Sequence, residues 1–161
     1  MLKPGTAAPL FVAKLHTGDL FRLSDIRNQY HLVLYFYPRD FTFGCTREAC
    51  SFRDHSEEMK DLKAIILGVS PDLPESHQQF AREHRLAFPL VSDPQGELAR
   101  RYEASVLNGL RMLRITYIID MKGIIRGAFH HELFLRNHWE NSLRILKSLQ
   151  RSLHENHHRT V

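Results

Sequence analysis

From His31 to Tyr37 the chain reads His-Leu-Val-Leu-Tyr-Phe-Tyr, and Pro38 follows. Apolar residues do not alternate with polar ones in this run. A strand with one face in water alternates; one that does not is buried on both faces. Such a strand needs helices above and below its sheet, so the fold must be layered. Pro38 ends the run because it has no N–H for a sheet ladder. Ala64-Ile-Ile-Leu-Gly-Val69 repeats the pattern and stops at Ser70-Pro71-Asp72. With 161 residues the chain is expected to fold as one domain with a full core, over 1–153.

Around these two strands the remaining elements fall into order. Phe11–Leu15 and Leu20–Leu23 flank Thr17-Gly18-Asp19 and read as a β-hairpin. Ser24–Arg27 reads as a single helical turn. A long helix is expected from about Cys45 to Leu62, with Phe52, Met59 and Leu62 at helical spacing. Helices over Glu75–His84 and through Tyr102 bracket a short strand, Phe88–Val91. Arg114–Ile119 and Gly123–Phe129 enclose Asp120–Gly123 as a second hairpin. The last helix is expected from Arg136 to Leu153, where Leu143, Leu146 and Leu149 keep helical spacing, and 154–161 reads as a flexible polar tail. Strands alternating with helices, then a hairpin and a helix, make a mixed α/β sandwich.

The composition, 43% hydrophobic and 25% charged, is that of a soluble globular chain. Its apolar runs fall short of the roughly 18–20 residues that span a bilayer. No apolar signal-like segment follows Met1, so the expected setting is the cytoplasm. The net charge of +4 is scattered among acidic residues, which argues against nucleic-acid binding. Both cysteines, Cys45 and Cys50, lie just after the Pro38 stop. In a reducing compartment such a pair is catalytic or metal-binding more often than a permanent staple. Cys45, Cys50 and His55 are spaced unlike zinc ligands, so no metal is expected.

Thr42 can cap a helix opening at about Phe43, its hydroxyl accepting from an N–H of the first turn. Cys45 then sits in that first turn, where unpaired N–H groups and the helix dipole favour an anion. The thiolate is the reactive form of cysteine. The blander alternatives are a buried hydrophobe at Cys45 and a bystander thiol at Cys50.

The run Tyr-Pro-Arg-Asp-Phe-Thr-Phe-Gly-Cys carries Pro38, Thr42 and Cys45 in the Pro-x-x-x-Thr-x-x-Cys spacing, and in this it resembles the peroxiredoxins, cysteine peroxidases built on a thioredoxin-like fold. Gly-Cys-Thr-Arg-Glu-Ala-Cys50 is similar to the bacterioferritin-comigratory-protein, or peroxiredoxin Q, branch. Similarity extends to the opening Pro-Gly-x-x-Ala-Pro, to Leu-Gly-Val-Ser-Pro-Asp72, to Phe-Pro-Leu-Val-Ser-Asp93 and to Arg-x-Thr-Tyr-Ile-Ile-Asp120. Two departures stand out. The branch usually has Pro where this chain has Phe43, and the segment from Tyr102 to Arg114 is short.

The resemblance implies a thioredoxin-like sandwich, a central mixed sheet with helices on both faces and an N-terminal hairpin. It implies that Cys45 attacks hydrogen peroxide or an alkyl hydroperoxide and that Cys50 resolves the sulfenic acid as an intramolecular disulfide. A thioredoxin-like protein would be the reductant, no cofactor would be needed, and the protein would be a monomer or weak homodimer. Attack on a peroxide needs donors around the sulfur and a dry pocket. The N–H groups of Gly44 and Cys45 and the Thr42 hydroxyl are the expected donors, with Pro38 walling off water. Arg114 matches the family's active-site arginine; Arg111 is its nearest rival, and Arg39 and Arg47 are expected on the surface. Tyr37 and Glu48 are expected to brace the site. Residues five apart on an intact helix lie about 8–9 Å between Cα atoms, whereas a disulfide wants roughly 4.4–6.8 Å. Resolution by Cys50 therefore requires the helix to unwind locally. The competing function is a redox sensor or chaperone-like binding protein that uses the same oxidation as a switch.

Overall fold

The apolar run starting at His31 lies at the centre of the molecule. In a computed structural model that describes residues 1–130 and 136–158, β3 (His31–Phe36) is buried along its whole length. It pairs in parallel with β4 (Ala64–Ser70), His31 opposite Ala64 and Phe36 opposite Val69. On its other side β8 (Ile115–Ile119) runs antiparallel, Phe36 opposite Ile115. With β5 (Leu90–Ser92) and β9 (Ile125–His130) at the edges, the five-stranded mixed sheet has the order β5-β4-β3-β8-β9.

Successive side chains of a strand point to opposite faces, and β3 accordingly feeds two cores. Leu32, Leu34 and Phe36 face one cluster, with Phe11, Phe21 and Leu23 from the N-terminal region and with Leu98, Ala99 and Tyr102. There the sheet is covered by the hairpin β1 (Val12–Lys14) and β2 (Leu20–Arg22), by α1 (Leu23–Ile26) and by α5 (Glu97–Arg101). Val33, Tyr35 and Tyr37 face the other cluster, which contains Cys45, Ala49 and Phe52 of α2 (Phe43–Asp54). The same cluster takes Met59 of α3 (Ser56–Asp61), Phe80 and Ala81 of α4 (Pro74–Glu83), and Leu143 and Leu146 of α6 (Arg136–His158). Helices thus cover both faces of a central mixed sheet, the expected sandwich. A ribbon of β6 (Ser105–Val106) and β7 (Arg111–Met112) occupies the short segment before Arg114.

Most boundaries shift by a residue or two from the sequence expectation, and three differences are worth setting out. The helix expected from Cys45 to Leu62 is two helices meeting at His55. Ser56 Oγ donates to the Arg53 carbonyl, a local bond that competes with helix continuation, and the His55 ring stacks on Trp139 at 3.6 Å. The strand expected at Phe88–Val91 begins at Leu90, because Pro89 cannot donate to the ladder. The last helix continues beyond Leu153 to His158; residues 159–161 of the expected tail lie outside the described residues. Among the described residues no helix is long and apolar enough to cross a membrane.

Candidate active site

After β3 the chain passes Tyr37 and Pro38, turns through Asp40 and Phe41, and enters α2 at Phe43. Thr42 is the N-cap, with extended φ/ψ of −75° and 151°, and its hydroxyl accepts from the Cys45 N–H at 3.4 Å. The Thr42 hydroxyl proton goes to the Arg39 carbonyl at 3.2 Å. The expected cap is therefore in place, and it uses the Cys45 N–H that was expected to face the sulfur. Gly44 lies half-buried in the same first turn. Pro38 is exposed. It terminates the strand, and Cys45 belongs to the buried cluster that includes Val33, Tyr35 and Ala49.

Cys45 is 1% exposed, and a cation reaches it. Arg114, the residue just before β8, donates from Nη2 to Cys45 Sγ at 3.2 Å. Its Nη1 donates to Glu48 Oε2, closing a buried ion pair one turn along α2. A guanidinium donor makes this a charge-assisted hydrogen bond. Burial works against the charge of Arg114, and the Glu48 carboxylate and the Cys45 sulfur outweigh it, holding the guanidinium above its usual range. Burial pushes the Glu48 carboxyl up to about 7, opposed by the Arg114 charge and hydrogen bond. The alternative cations are elsewhere: Arg111 and Arg39 are exposed, and so is Arg47, whose guanidinium lies 5.6 Å from the Phe43 ring centroid. Phe43, replacing the usual Pro, is 79% exposed.

The pair has further support that sequence reasoning did not assign. His138 of α6 is fully buried, with Nδ1 3.6 Å from Glu48 Oε1 and 2.7 Å from Thr116 Oγ1. Thr116 was accessible in principle, because it stands two residues after Arg114 and neighbours at that spacing share a sheet face. His138 was not, because only the packing of α6 brings it to the site. Tyr35, fully buried on the same face, carries a hydroxyl without a hydrogen-bond partner among the described residues. Burial and the nearby Glu48 and Cys45 push that phenol well above its usual range, so it stays protonated. Tyr37 belongs to a different polar group, donating to Asp40 Oδ1 at 2.7 Å.

Cys50 is half-buried on the same helix, and both thiols are free. α2 runs unbroken from Phe43 to Asp54, so the two cysteines are held in helical geometry. In that geometry they are too far apart for a disulfide.

Residues 4–128 match the family model described as the AhpC/TSA family. Peroxiredoxin Bcp of Bacillus subtilis (strain 168) is 36% identical over 151 residues, covering 90% of this chain and 95% of its own. The crystal structure of peroxidoxin BcpB from Mycobacterium tuberculosis superposes with a TM-score of 0.85 at 32% identity, covering 92% and 98% of the two chains. The bacterioferritin comigratory protein of Xanthomonas campestris, studied for its alkyl peroxide reduction activity, superposes with a TM-score of 0.77 at 30% identity over 86% and 90%.

Proposed function

From the premise that this chain belongs to the AhpC/TSA family and is a peroxiredoxin of the Q/Bcp type, we propose a two-cysteine cycle for its thiol-dependent peroxidase activity. The Cys45 thiolate attacks one oxygen of hydrogen peroxide or an organic hydroperoxide. An S–O bond forms and the O–O bond breaks; sulfur is oxidised to sulfenic acid, and the leaving oxygen takes a proton and departs as water or alcohol. The Cys50 thiol then attacks the Cys45 sulfur, an S–S bond forms, and the hydroxyl leaves as water. A thioredoxin-like dithiol reduces the disulfide by exchange.

The observation that carries this reading is Arg114 Nη2 at 3.2 Å from the Cys45 sulfur, at a helix opening capped by Thr42. Arg114 and the Thr42 hydroxyl are the groups assigned to hold and polarise the peroxide oxygens, with the Gly44 N–H beside them and Pro38 at the rim. Alkyl hydroperoxides join hydrogen peroxide as substrates by analogy with the Xanthomonas relative. α2 must lose its first turns for Cys50 to reach Cys45, and it re-forms after reduction. A reducing cytoplasm suits such a cycle, and the enzyme is assigned as a monomer or weak homodimer.

The test is peroxide consumption coupled to NADPH oxidation, with thioredoxin and thioredoxin reductase present. Wild type is expected to turn over many equivalents, Cys45→Ser none, and Cys50→Ser a single one. Wild type stopping after one equivalent would reject the enzyme cycle in favour of a redox switch.

A further inference from the structure

A second buried polar group stands beside the site, and the peroxidase chemistry above makes no use of it. Asp40, 3% exposed, accepts from Tyr37 Oη at 2.7 Å on Oδ1 and from Ser76 Oγ at 2.8 Å on Oδ2. Oδ2 also lies 2.8 Å from His77 Nδ1, and His77 is fully buried. The Asp40 N–H donates to Asp72 Oδ2 at 2.8 Å, and Ser70 Oγ donates to the same oxygen at 2.6 Å.

Both ring nitrogens of His77 have partners. Its Nε2 faces the Val91 carbonyl at 3.1 Å and Ser70 Oγ at 3.4 Å. A carbonyl only accepts, and the Ser70 proton is already committed to Asp72, so Nε2 carries a hydrogen. Nδ1 lies against Asp40 Oδ2 at 2.8 Å, with the Tyr37 hydroxyl at 3.5 Å. The buried His77 ring is clasped to the Asp40 carboxylate between α4 and the loop before α2. Burial raises the Asp40 carboxyl, and its bonds to His77, Tyr37 and Ser76 outweigh this and hold it below its ordinary value.

The clasp controls a short length of chain. Phe41 follows with φ at 61°, a left-handed conformation that a bulky residue adopts only when its surroundings impose it. Its ring meets Phe80 of α4 edge-on at 5.2 Å. Next comes Thr42, which is exposed and whose bond to the Cys45 N–H is long at 3.4 Å. Thr42 is therefore not held by its own burial; its hydroxyl is tied to the carbonyl of Arg39, the residue next to Asp40.

We propose that Asp40 and His77 are positioning residues for peroxide reduction: their buried pair fixes the chain two residues before Thr42 and so sets the Thr42 hydroxyl over the first turn of α2, the turn that carries the reacting sulfur. The inference rests on the role given above to Thr42. It is tested by a double-mutant cycle in the Cys50→Ser background, where only the first chemical step is seen. Second-order rate constants for Cys45 oxidation by hydrogen peroxide are measured for Thr42→Ala, His77→Leu and the double variant, each confirmed folded at the assay temperature. Each single change is expected to slow the step about tenfold, the worth of one misaimed hydrogen bond. The double variant is expected to be no more than about twofold slower than the worse single, because both changes remove the same interaction. Multiplied losses, about a hundredfold, would overturn the proposal, as would a His77→Leu protein that melts earlier yet reacts at the parent rate. If His77→Leu does not fold, His77→Gln enters the same cycle, since one amide serves one of the two acceptors and not both. A normal rate in Thr42→Ala would overturn the role of Thr42 and this inference together; a slow Thr42→Ala with multiplied losses overturns this inference alone.

Discussion

Replacing Arg114 by Met removes the cation at Cys45 while keeping an unbranched side chain of similar reach. Two interactions go. The donor to the Cys45 sulfur at 3.2 Å is charge-assisted, worth about 1.5–3 kcal/mol. If that stabilisation acts on the thiolate and on the transition state it leads to, oxidation of Cys45 slows roughly 10- to 150-fold. The second loss strands Glu48, whose side chain is 1% exposed. Removing one partner of a buried ion pair costs about 3–5 kcal/mol when the survivor stays charged. Glu48 need not stay charged, because burial already pushes its carboxyl from 4.5 up to about 7 against the pull of Arg114. Without the guanidinium it rises further and takes up a proton. A carboxyl raised on folding binds a proton that the unfolded chain has released, so stability is greatest on the acid side and falls as pH climbs from about 4.5 through the folded value. Arg114→Met should therefore destabilise the protein less at pH 6 than at pH 8. Stopped-flow oxidation by hydrogen peroxide in the Cys50→Ser background reads the first effect, and urea melts at the two pH values read the second. A rate within twofold of the parent, or a stability cost that shrinks as pH rises, would refute the reasoning.

Two further predictions come from the packing around the site. Gly68→Ala places a Cβ 2.7 Å from Leu90 Cδ2 and 2.8 Å from Tyr35 Cζ and Oη in the middle of the sheet; it should cost about 1–3 kcal/mol in a urea melt, and an unchanged midpoint would show that the ring has room to move. Trp139, the single tryptophan, stacks on His55 at 3.6 Å where α2 ends. Oxidation that unwinds α2 should change its emission in wild type and not in Cys50→Ser, and identical spectra for reduced and oxidised wild type would mean that the end of the helix is undisturbed.

What could be read beforehand follows from how far each signal reaches along the chain. The sheet centre was legible because unalternating apolar runs at His31 and Ala64 have one comfortable place in a layered fold. The cap was legible because Thr42 and Cys45 are neighbours on one turn. Arg114 came from the family pattern, and its guanidinium lies against the sulfur. The break at His55 was missed because the helical spacing of Phe52, Met59 and Leu62 continues across it. A bond from Ser56 to a backbone carbonyl and a stack on Trp139 decide the break, and neither leaves a periodic trace. His138 and His77 were missed for a stronger reason. Each is one histidine among 11, and only the packing of α6 and α4 carries them to Glu48 and Asp40.

The most direct measurement is mass spectrometry of the reduced protein after one equivalent of hydrogen peroxide, digested without reductant. A peptide joining Cys45 to Cys50 within one chain is the predicted product, and it requires that the helix seen here as Phe43–Asp54 opened to let it form. A lasting sulfenate on Cys45, or a bond between two chains, would contradict the account.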